Sequence, residues 1–161
     1  MKSHSLLSIV FSAILVDTII GYYLLLSNRG GTYIKEWYKQ FTIGAYIMDI
    51  LSIIIGTYLA TLTSNNIYYQ IIAVTIIGLI HDTTFGFFVN KIQTESKIIN
   101  LFKNYANELG PVILIVDAFM LVSTLLLSNY FYKLLPNILI IFLSIIATYI
   151  GLFMIYSFCL F

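Results

Sequence analysis

Four aspartates, Asp17, Asp49, Asp82 and Asp117, stand inside apolar stretches of this chain. A carboxyl group in such surroundings is costly and is a functional-site hypothesis by default. The chemistry it offers is narrow: it can hold a proton, bind a cation, or hydrogen-bond another helix. Two of the four open the same motif, Asp17-Thr18-x-x-Gly21-Tyr22-Tyr23 and Asp82-Thr83-x-x-Gly86-Phe87-Phe88. Each central aspartate costs about 2.5 to 3.5 kcal/mol on insertion scales. No Lys or Arg falls in the same layer, and His81 is the one nearby group able to carry a compensating positive charge. The carboxylates must then be protonated, share protons, bind a cation or face water. Thr18, Thr83 and Ser52 are the polar neighbours of that layer. Carboxylate and hydroxyl oxygens favour H⁺ or a hard ion such as Na⁺, Ca²⁺, Mg²⁺ or Mn²⁺, held by Asp17, Asp49, Asp82 and Asp117, over Zn²⁺ or Cu⁺.

The elements that carry these residues must be membrane helices. The composition is 60% hydrophobic and 9% charged, with a mean hydropathy of +0.97, which describes a chain whose solvent is lipid. A span needs about 20 mostly apolar residues, and five segments qualify, about 5–26, 41–63, 67–89, 111–128 and 134–160. The expected fold is an all-α integral membrane protein, residues 1–161 forming one membrane domain. At 1.5 Å per residue, Asp17 lies roughly 13 Å from the end of its span nearest the first loop, Asp49 about 12 Å, and Asp82 and Asp117 near 10 Å from the corresponding ends. The four acids therefore fall in one layer on four helices. Small residues accompany them at helical spacing: Ala13 and Gly21 with Asp17; Ala45, Ser52, Gly56 and Ala60 with Asp49; Thr75, Gly78 and Gly86 with Asp82. Such stripes allow close helix approach and place each acid on an inward face.

A second, separate match follows after a slightly different loop length: with Asp49 placed on Asp117, Lys35 and Lys103 each stand 14 residues before the aspartate. The chain reads as two pseudo-repeated helical hairpins, about 5–63 and 67–128, plus a fifth helix at about 134–160. Copies of two spans each enter from the same side, as in parallel transporter repeats. Coincidence within a small apolar alphabet is the alternative.

Charge sets the orientation. Arg29, Lys35 and Lys39 occupy the first loop and Lys91, Lys97 and Lys103 the third, against Lys2 and Lys133 opposite. This puts the N-terminus outside and the C-terminus in the cytoplasm. Tyr22, Tyr23, Trp37 and Tyr38 on the basic side, and Tyr68, Tyr69, Tyr130 and Tyr132 on the other, are placed as interfacial aromatics. Both basic loops are amphipathic. Ile34, Trp37, Tyr38 and Phe41 read equally as an interfacial helix or an extension of the next span, whereas 98–109, capped by Thr94 or Ser96 and stopped at Gly110-Pro111, reads as an interfacial helix.

Several classes are disfavoured. Scattered basic residues leave no nucleic-acid footprint, and the single Cys159 permits neither an intrachain disulfide nor a cysteine zinc site. No phosphate loop, H-E-x-x-H or G-x-S-x-G occurs, so an enzyme is not expected. Two readings stand: a proton or cation channel or transporter, and a structural or assembly component of a membrane complex, for instance a viral one, using the aspartates for interhelical contacts. Either has the lipid bilayer and a homo-oligomer or membrane complex as partners.

Overall fold

The structure is a computed structural model that describes residues 5–27, 29–93 and 96–159; Lys2 and Thr94 lie outside the described residues. The described residues form six helices and no strand: α1 (Leu6–Ser27), α2 (Gly31–Thr63), α3 (Ile67–Lys91), α4 (Lys97–Leu109), α5 (Val112–Leu134) and α6 (Asn137–Cys159). All but α4 are long and apolar enough to cross a membrane.

The spans differ from the sequence expectation at two places. The fourth runs to Leu134 rather than stopping near residue 128, because Asn129, Tyr130, Tyr132 and Lys133 are polar without being helix breakers. The stop comes at Leu135, extended in front of Pro136 as the proline ring demands. The last helix consequently begins at Asn137. The amphipathic stretch of the first loop and the second span are one 33-residue helix by hydrogen bonding, broken in direction at Thr42, whose φ of 46° and ψ of −121° are not helical. That helix therefore combines the two alternatives, a continuous element whose first third is turned away from the rest.

α4 forms where its periodic apolar residues fall, and Gly110-Pro111 separates it from α5. Ser96 occupies its N-cap position but makes no side-chain capping bond.

α1 is the most enclosed helix, packed by α2, α5 and α6. Its sequence is apolar all round, as an enclosed helix requires. α3 packs on α2, α4 and α5 and is the least enclosed. The core runs along α1, where Ile9, Phe11, Ala13, Ile14 and Val16 are buried against Tyr46, Leu125 and Ile155 from its neighbours. Ala13, Gly21, Ala45, Gly56 and Ala60 all face inward, so the stripes on α1 and α2 are packing stripes. Gly86 has nothing within 4 Å of a Cβ position and packs against no neighbour.

Candidate carboxylate site

Asp49 has the most developed surroundings. A straight helix would hold residue 37 about 18 Å from residue 49. The bend at Thr42 instead turns the first third of α2 back onto the rest. Trp37 Nε1 then donates to Asp49 Oδ2 at 3.1 Å and Oδ1 at 3.3 Å, and the Tyr38 hydroxyl donates to Oδ2 at 2.9 Å. Trp37 is fixed between Phe41 and Phe102 of α4, both with ring centroids 4.9 Å away. Trp37 and Tyr38 are buried at 6% and 2% exposure, which corrects their placement as interfacial aromatics. Tyr22, Tyr23, Tyr68, Tyr69, Tyr130 and Tyr132 are exposed as expected.

Asp17 is the most enclosed acid, 2% exposed, and its Oδ2 has no hydrogen-bond partner among the described residues. Its neighbour Thr18 turns away, sharing a buried hydrogen bond of 2.9 Å with Tyr46 of α2. Gly151 of α6 makes room for this pair: a Cβ there would run into the Tyr46 phenol and the Thr18 hydroxyl. One turn beyond Asp17, the Tyr38 hydroxyl lies 3.8 Å from where a Cβ on Gly21 would be, so the phenol that binds Asp49 also abuts α1.

Asp82 Oδ1 lies 2.9 Å from Nδ1 of the adjacent His81, while its Oδ2 is shielded and unpartnered among the described residues. Asp117 on α5 is half-buried and accepts no hydrogen bond among the described residues. Among the described residues no three His, Cys, Asp or Glu side chains are grouped to hold a metal ion.

The auxiliary residues separate. Ser52 is exposed and donates to the Asp49 backbone carbonyl, not its carboxylate. Thr83 is exposed on α3, unlike buried Thr18, so the two motif copies occupy different environments. His81 reaches Asp82 but points outward, 61% exposed.

Two contributors lay outside the sequence reading. Tyr105 of α4 lies near the site; burial, and then the Asp117 carboxylate, push its phenol above the ordinary value. Glu108 of α4 caps α2 across the fold. Its carboxylate accepts from the Thr32 backbone N–H at 2.9 Å and from that of Tyr33 at 3.2 Å. This supplies the cap that Gly30 cannot. Gly31, at φ 74°, has no Cβ to block that carboxylate.

Compared with protein-family models, with curated proteins and with solved structures, the chain finds no match.

Proposed function

We propose that this chain is a multi-pass membrane protein that moves protons through its helical bundle, with Asp17 as the central binding group and Asp49, Asp117 and Asp82 as its relay partners. The observation that carries this is the Asp17 carboxyl, enclosed at 2% exposure with one oxygen lacking a hydrogen-bond partner among the described residues. An unpaired charge there would be expensive. A proton is the smallest occupant that neutralises it, and one that moves off again leaves a site for the next. The five long apolar helices support the membrane setting. The loop charges favour an outside N-terminus and cytoplasmic C-terminus.

A proton suits the geometry better than a multiply coordinated hard cation, since among the described residues no three acids are grouped to hold a metal ion. The assembly reading is less supported. Asp49 is bonded by Trp37 and Tyr38 of its own helix and Asp82 by its chain neighbour, so among the described residues no aspartate hydrogen-bonds across a helix pair. Carboxylates retained as interhelical glue would do so.

The test is internal acidification of proteoliposomes under an imposed potential. The wild-type chain is expected to acidify them faster than protein-free liposomes, with Asp17→Asn and Asp49→Asn slower. Equal rates for wild type and both variants would reject the proposal.

A further inference from the structure

α3 carries its polar residues where an apolar helix face should be. His81 stands fourteen residues after Ile67 and ten before Lys91, within about 3 Å of the helix midpoint at 1.5 Å per residue. At that depth a span faces hydrocarbon, yet His81 is 61% exposed and both Thr83 and Thr84 are open. Some helix hydroxyls of this chain bond one turn back, while Ser12, Thr57 and Thr124 are buried without a partner among the described residues. Thr75 donates to the Ile71 carbonyl at 2.9 Å, Ser144 to Ile140 at 2.7 Å and Thr148 to Ser144 at 2.8 Å. Thr83 and Thr84 make no such bond among the described residues. The outward face of α6, by contrast, presents apolar Ile138, Phe142, Ile145 and Phe153, as lipid contact requires.

We propose that the His81–Thr84 face of α3 is the contact between two copies of this chain, related by a two-fold axis along the membrane normal. A second copy fits this face because the face is self-complementary. With Nδ1–H turned to Asp82, the free Nε2 of His81 is an acceptor, and the Thr84 hydroxyl is a donor on the same helix face, three residues on. A two-fold axis sets His81 of each copy against Thr84 of the partner subunit, so one pairing forms twice and each face completes the other. The pairing also covers the Asp82–His81 couple from lipid, finishing a site that a single chain leaves open. It rests on the membrane reading but not on proton movement.

Cross-linking tests it. In chains with Cys159→Ser, Phe88→Cys, one turn beyond Thr84 on the same exposed face of α3, is compared with Ile145→Cys on α6, each reconstituted at high lipid-to-protein ratio, oxidised, and extracted with alkaline carbonate. The expected result is a disulfide-linked dimer from Phe88→Cys and monomer from Ile145→Cys. Adding His81→Leu to the Phe88→Cys chain, which keeps Thr84, should lower the dimer association constant by about eight- to three-hundred-fold, since two interhelical polar contacts are lost per dimer. Membrane-retained protein that yields no Phe88→Cys dimer, or yields as much from Ile145→Cys, overturns the interface while leaving the membrane reading intact. Protein released by carbonate overturns both.

Discussion

The Tyr38 hydroxyl donates to Asp49 Oδ2 at 2.9 Å although the two residues stand eleven positions apart on one helix. The contact exists because α2 changes direction at Thr42, and with Trp37 it orients a carboxylate that a straight helix would leave without these partners.

Tyr38→Phe and Trp37→Phe each remove one donor while keeping a ring in place. Each is expected to lower stability by about 1 to 3 kcal/mol, the range for a hydrogen bond to an ionisable partner, and to change the rate of liposome acidification with the fold preserved. Thermal unfolding in detergent and the flux assay read the two effects separately. Unaltered values in both would show that the donors do not organise Asp49.

Thr42 is a β-branched residue at positive φ, a conformation that costs of order 1 to 3 kcal/mol outside glycine. Thr42→Gly should therefore raise the unfolding temperature or leave it unchanged, despite the poor helix propensity of glycine. Thr42→Val, which keeps the branch, should give no gain. A large loss in Thr42→Gly would show that the bend is not strained.

How much of this was readable beforehand varies by residue. Hydropathy located the apolar segments, since about 20 such residues in a row have few other uses. The inward faces of α1 and α2 followed from Ala13, Asp17, Gly21, Ala45 and Gly56 at helical spacing. The bend was not readable, because threonine carries no positive-φ signal. Without it, Trp37 and Tyr38 looked like interfacial aromatics. Glu108 was equally hidden: its partner Thr32 is 76 residues away, and nothing local marks a glutamate near a helix C-terminus as the cap of another helix.

Glu108 gives a pH dependence outside the long apolar helices. The Thr32 backbone N–H, foremost among its partners, holds this carboxyl below its ordinary 4.5. A lowered folded value means that the stabilisation is complete above 4.5 and is lost as pH falls through the folded value. Melting followed from neutral pH into that acid range should show an added loss in wild type that Glu108→Gln lacks. Identical acid profiles would mean that the cap contributes nothing to stability.

Gly151 and Gly86 form a matched pair. Gly151→Ala forces the Thr18–Tyr46 pair apart and is expected to cost about 1 to 3 kcal/mol. Gly86→Ala meets open space and should be neutral or stabilising by up to about 1 kcal/mol through helix propensity. Calorimetry or chemical denaturation in detergent distinguishes them, and equal effects would count against the packing of α6 on α1 at this point.

Proton carriage by the enclosed Asp17 carboxyl is read most directly from acidification of proteoliposomes by folded wild-type and Asp17→Asn protein under the same potassium diffusion potential. Wild-type acidification well above that of protein-free liposomes is expected, with an Asp17→Asn rate that falls to the protein-free level. Wild-type protein no faster than protein-free liposomes, or folded Asp17→Asn as fast as wild type, would contradict it.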